Sequence, residues 1–148
     1  MTRFASLTLA AAGAVLCLPA LAQFAKTEDA IKYRQSAMFI QNHHMSRLGA
    51  MASGRAPYDA ASATANAEVV AEISKLPWIG FGPGTEGGKA KPEIWKEQAK
   101  FKELNEKLVS ETGKLLVASK AGNLDALKAA VSAVGDTCQS CHDTFRRK

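Results

Sequence analysis

From Leu124 to Phe145 the apolar residues alternate steps of three and four without a break: Leu124, Leu127, Val131, Val134, Cys138, Cys141 and Phe145. That is the period of an α-helix with one buried face. A strand would need strict apolar–polar alternation, and the chain has no such stretch. A helix with so long an apolar stripe needs other helices to cover it. The rest of the chain provides them. Thr27 to about Gly54 reads as a helix, with Thr27 as N-cap and Glu28 and Asp29 in the first turn. Ile31, Met38, Met45 and Ala52 recur every seven residues there, Leu48 shares their face, and Gly54 and Pro57 end the run. Tyr58–Lys75 carries the stripe Ala63, Ala67, Val70 and Ile73. Pro92–Ala121 starts with proline in its first turn and runs Ile94, Phe101, Leu104, Leu108 and Leu115 to Gly122. Asn123 caps the last helix. Four amphipathic helices predict an all-α fold, an antiparallel four-helix bundle.

Residues 1–22 fall outside this pattern. Arg3 is the only charge before Lys26, Leu7 to Leu18 is almost entirely Ala, Leu and Val, and Ala20-Leu21-Ala22 fits a small-x-small cleavage site. This is the composition of a secretory signal peptide, with a mature domain over 23–148. The apolar run is too short to span a bilayer comfortably, so no stable membrane insertion is expected. Removing Arg3 takes the net charge from +5 to +4. An exported basic protein does not meet chromosomal DNA, so nucleic acid is excluded and acidic protein patches or lipid head groups remain. Of the 3 cysteines, Cys17 leaves with the leader; Cys138 and Cys141 stay.

Those two cysteines belong to Cys138-Gln139-Ser140-Cys141-His142. A redox dithiol needs its first thiol at a helix N-terminus, and here the motif ends a helix. A structural zinc needs four ligands, and the only other histidines, His43 and His44, are adjacent on another helix. Covalent haem uses every residue. Two thiols add to the porphyrin vinyl groups, and the next histidine binds iron. On a helix, positions 138, 141, 142 and 145 share one face. The motif therefore predicts one haem c, with Cys138 and Cys141 as thioether anchors and His142 as axial iron ligand.

One loop, Leu76–Gly88, "LPWIGFGPGTEGG", holds five glycines and two prolines together with Trp78 and Phe81. Aromatics in such a loop point either to a loop tucked into the core or to a lid beside a cofactor.

Four segments together resemble the class II cytochromes c, and within them cytochrome c prime: "QFAKTEDAIKYRQSA", "APYDAA", "LPWIGFGPGTEGG" with "KPEIW", and "CQSCHDTFRRK". The resemblance spans the mature chain. It implies that the first helix crosses the distal haem face and that Met38 stands where relatives carry a non-coordinating side chain crowding a five-coordinate, high-spin iron. It also implies binding of small gases (NO, CO), single-electron exchange with periplasmic redox proteins, and a homodimer through the first two helices. Arg34 and Gln41 interrupt the apolar face of that helix. A haem propionate would satisfy Arg34, or its head would reach water at the bundle edge. Gln35 matches a haem-contacting position. Arg146 matches an arginine beside the proximal histidine, and it can equally answer the negative helix C-terminus.

Methionine can itself bind iron, so a low-spin, six-coordinate electron carrier with Met38 as distal ligand stays open. The long loop favours the high-spin branch. At about 100° per residue, His43 and His44 point roughly 120–140° away from Met38, which argues against bis-histidine ligation. Met45 lies about 10 Å beyond Met38 along the helix, too far for both to meet one iron. A haem enzyme would need a distal acid–base group. Met38 is not one, and no enzymatic activity is expected.

Overall fold

The computed structural model describes residues 23–148; the leader expected over 1–22 lies outside the described residues. Four long helices form the fold: α1 (Thr27–Ala52), α2 (Ala60–Ile73), α4 (Gln98–Lys120) and α5 (Leu124–Phe145). A 3-10 turn (Pro77–Phe81) and the one-turn α3 (Glu93–Lys96) lie in the connection between α2 and α4. α1 packs on α2 and α5, and α4 packs on the same two, which closes an antiparallel four-helix bundle. No strand occurs among the described residues; Ala90 and Arg146 form an isolated antiparallel bridge.

Local chemistry sets the helix ends. The Asp59 side chain accepts from Ser62 N–H at 2.7 Å and starts α2. Asn123 accepts from Ala126 N–H at 3.0 Å and starts α5, as its residue type predicts. α1 differs from expectation. Lys26 is its N-cap and offers no side-chain bond, while the Thr27 hydroxyl donates to Gly84 O at 2.8 Å. Thr27 thus ties the loop to α1 instead of capping the helix. Beyond Ala52 the chain turns at Gly54, whose φ of 75° suits glycine.

The expected single helix over Pro92–Ala121 is broken at Glu97 (φ −111°, ψ 48°). The turn before the break is held from outside. Trp95 Nε1 donates to Gly82 O at 2.9 Å, and Lys91 N–H donates to Phe145 O at 2.9 Å. These fix α3 on the loop and on the end of α5, and α4 sets off anew.

The core joins Leu48 and Met51 of α1, Ala63, Ala67 and Val70 of α2, Leu108 and Leu115 of α4, and Leu127 and Val134 of α5. Burying each leucine is worth about 1.5–3 kcal/mol. The seven-residue line through Ile31, Met38 and Met45 is only half-buried. The buried line of α1 is Ala30, Arg34, Ala37, Gln41, Leu48 and Met51. The loop comes close at the Ala30–Arg34 turn: a Cβ on Gly80 would lie 2.9 Å from Ala30 O.

Candidate functional site

Beside this core the helices part around a cavity of about 610 Å³. Its size falls in the ~300–1,000 Å³ range of cofactor and small-molecule sites. α1 contributes Arg34, Gln35, Met38, Phe39 and Asn42; the loop contributes Trp78, Phe81, Lys89 and Ala90; α3 and α4 contribute Ile94 and Phe101; the end of α5 contributes Cys141, His142, Phe145 and Arg146. Eight of the nine residues expected from the sequence therefore meet at one cavity. Cys138 is the exception: half-buried, it packs against the core one turn before Cys141.

The walls are aromatic. Phe101 is the hub, with ring centroids 5.0 Å from Phe81, 5.4 Å from Phe145 and 5.8 Å from Trp78. Trp78 Nε1 donates to Ser74 O at 2.6 Å, so only its apolar face is left for the cavity. The loop aromatics thus form cavity wall, and the two readings of the loop merge. Phe145 was visible in the sequence on the face of Cys141 and His142, whereas Phe101 and Ile94 were visible only as stripe residues, with nothing marking them for a cavity. Lys89, Ala90, Phe39 and Asn42 carried no signal.

Arg34 does not place its head in water at the bundle edge, and it has protein partners that the sequence did not show. It is 3% exposed. Nη1 donates to Gly80 O at 2.5 Å and Thr85 O at 2.8 Å, and Nη2 donates to Gly87 O at 2.9 Å. The guanidinium lies over Phe81, 4.5 Å from the ring centroid. It therefore buckles the glycine-rich loop to α1. Of its five N–H donors, Nε and one hydrogen of Nη2 remain uncommitted. Burial lowers the Arg34 pKa, and Glu86 opposes that shift.

A second strap closes the other side. Lys91 N–H donates to Phe145 O at 2.9 Å, and Arg147 N–H donates to Lys89 O at 2.8 Å. Lys91 Nζ donates to Asp143 O and Thr144 O, each at 3.1 Å. The positive group that answers the α5 C-terminus is thus Lys91. Arg146 is the extended C-cap residue and not part of the helical face, though it lines the cavity.

At the α5 end, burial raises the Cys138 thiol pKa. Burial, then Cys138, pushes the Cys141 thiol up to about 11. His142 is open to the cavity. Surrounding protein, then Arg146, lowers its pKa, and Asp143 partly opposes them. The neutral ring, with a free lone pair, is favoured. His43 and His44 line no part of the cavity; His44 Nδ1 pairs with Asn66 Oδ1 at 2.9 Å. Met45 packs against the core.

The donor set and the charge suit haem. Thiol, thiol and imidazole sit within one turn and a half of α5. The cavity lining includes Arg34, Lys89, His142 and Arg146 and no carboxylate, which suits a flat apolar group with an anionic edge.

The Cytochrome C' family model matches residues 29–146. The chain is 51% identical to cytochrome c' of Alcaligenes xylosoxydans xylosoxydans over 126 residues, covering 85% of this chain and 99% of the relative. It is 45% identical to cytochrome c' of Rubrivivax gelatinosus over 129 residues, 85% of this chain and 100% of the relative. A solved nitric oxide complex of a leucine-to-alanine variant of cytochrome c prime from Alcaligenes xylosoxidans superimposes with a TM-score of 0.83 at 50% identity, covering 85% of this chain and 99% of that one. The chain belongs to the cytochrome c' family and is a c-type haem protein with one covalently bound haem c.

Proposed function

We propose that this protein is an exported, five-coordinate, high-spin cytochrome of the periplasm that binds nitric oxide and carbon monoxide and exchanges single electrons. The observation that carries the reading is the shared cavity, where α5 brings Cys141 and His142 and α1 brings Met38. Haem supplies the redox-active iron and an open ligand position. Cys138 and Cys141 would hold it through thioethers. His142, whose surroundings favour its neutral ring, would supply an imidazole nitrogen to the iron.

Met38 is the gate. Its unbranched thioether chain has three rotatable bonds and is half-buried at the cavity wall. A diatomic ligand would need to displace only this side chain, whereas a larger one would meet Trp78, Phe81 and Phe101 as well. Arg34 holds the loop that carries Trp78 and Phe81, and its uncommitted donors together with Gln35 and Lys89 serve the anionic edge of the cofactor. Arg146 neighbours His142 on the proximal side.

Nitric oxide binding draws support from the nitric oxide complex of the 50%-identical relative. Periplasmic location draws support from the leader-like residues 1–22 and from a CxxCH motif with no spare mature cysteine. No helix among the described residues is long and apolar enough to cross a membrane. Exposed Phe39 and Ile40 on α1, 72% and 40% accessible, provide an apolar patch for the homodimer, and the basic surface suits acidic redox partners.

The visible spectrum of the reduced protein, recorded with and without CO, tests the reading. Broad high-spin bands that change on CO addition are expected. Sharp, split α and β bands with no response to CO would instead place the Met38 sulfur on the iron.

A further inference from the structure

One buried polar side chain has no role in the site described so far. Gln41, 4% exposed, has both amide atoms, Nε2 and Oε1, buried without a hydrogen-bond partner. The other buried polar side chains are paired: Arg34 with the loop, Asn66 with His44, Ser74 with Thr112, and Ser119 and Thr137 with helix carbonyls. Tyr58 Oη also lacks a partner, but it precedes α2, far along the chain from the α1 segment that lines the cavity. A buried amide with four unused hydrogen-bonding positions calls for a partner that the protein alone does not contain.

Its position suggests which partner. Gln41 is three residues after Met38, about 60° around α1 and 4.5 Å along it. Met38 and Asn42, on either side in sequence, both line the cavity. Long side chains on a helix lean toward its N-terminus. The Gln41 amide therefore covers the turn of Ala37 and Met38, at the height where Met38 meets the cavity. Gln41 itself does not line the cavity and its amide is fully covered, whereas Met38, one turn before it, does line it; the amide therefore reaches the ligand space only when Met38 moves aside.

We infer that the Gln41 amide is the hydrogen-bond donor of the distal pocket, presenting Nε2–H to a diatomic ligand once Met38 has moved aside. This rests on the five-coordinate reading above and adds to it a polar recognition element specific to ligands with an electron-rich outer atom. Without ligand, the amide is an unpaired group that slightly destabilises the folded protein. With ligand, it holds the ligand more tightly.

The test uses CO on the reduced holoprotein. Infrared spectra of the CO adduct in H2O and D2O compare the wild type with Gln41→Met, which keeps the side-chain length. The wild-type band is expected to shift in D2O. In Gln41→Met the band moves to higher wavenumber and loses its D2O sensitivity, and CO dissociates about 2- to 12-fold faster, the factor set by one hydrogen bond. A second readout is stability: CO raises the urea midpoint more in the wild type than in the variant. A wild-type band insensitive to D2O overturns the inference without any variant. A sensitive band that survives in Gln41→Met overturns it too, by pointing to a water or another donor. CO binding with unchanged bands and rates overturns this inference alone. Failure of the wild type to bind CO removes the five-coordinate reading and this inference together.

Discussion

Replacing Arg34 by alanine is predicted to be among the most damaging single changes outside the haem attachment motif. The side chain is 3% exposed and donates to three loop carbonyls, at 2.5, 2.8 and 2.9 Å. Hydrogen bonds from a charged donor are worth about 1.5–3 kcal/mol each, but they do not add in full. Gly80 is buried, so its carbonyl stays unpaired when the guanidinium leaves; Thr85 and Gly87 are half-buried and recover water. The contact with Phe81 is lost as well. The expected net loss is about 3–4 kcal/mol. With a urea m-value of about 2 kcal/mol/M, the unfolding midpoint falls by roughly 1.5–2 M. Arg34→Lys keeps the charge but not the fork, and should lose about half as much. Equilibrium urea unfolding of the holoproteins gives the midpoints, and hydrogen exchange over residues 80–90 reports loosening of the loop. An Arg34→Ala midpoint within about 0.3 M of wild type, with unchanged exchange in the loop, would refute the idea that this guanidinium anchors it.

Three other outcomes follow from the same geometry. Gly80→Ala places a Cβ 2.9 Å from Ala30 O and 3.1 Å from Arg34 Cβ, and should cost about 1–3 kcal/mol by thermal or urea unfolding. Gly82→Ala, with nothing within 4 Å, is the matched control and should change little. Where haem-free protein keeps its helices by circular dichroism, burial raises the Cys141 thiol pKa to about 11, so the unreactive thiol dominates at neutral pH. Iodoacetamide labelling of Cys141 should rise about tenfold per pH unit above pH 8, because only the thiolate reacts; a plateau near pH 9 contradicts the burial argument. Met38→Leu should leave the spin state and CO binding essentially intact, as read from the visible spectrum, whereas conversion of a low-spin protein to high-spin would show that Met38 was a ligand.

The helical period and the CxxCH spacing carried far, because both are local. The α5 stripe placed Cys141, His142 and Phe145 on one side, and all three line the cavity. Arg34 stood out as a charge on an inward face, yet its partners are carbonyls of glycines and a threonine, which leave no pattern in side chains. The strap that joins Lys89 and Lys91 to Phe145 and Arg147 is likewise backbone pairing between distant segments. The break at Glu97 is imposed by those tertiary bonds on a sequence that locally favours one continuous helix. On α1, the repeat through Ile31, Met38 and Met45 marked the right side of the helix but not its most buried line. Two alanines, Ala30 and Ala37, and two polar residues, Arg34 and Gln41, make up most of that line, and such residues carry almost no hydrophobic periodic signal.

The central claim is that His142 is the only side chain of this protein bound to iron, with Met38 close but unbound. X-ray absorption of the reduced protein counts the atoms bonded to the metal directly. The account predicts five nitrogen neighbours, four from porphyrin and one from His142, and no sulfur. A sulfur atom bonded to iron would contradict it.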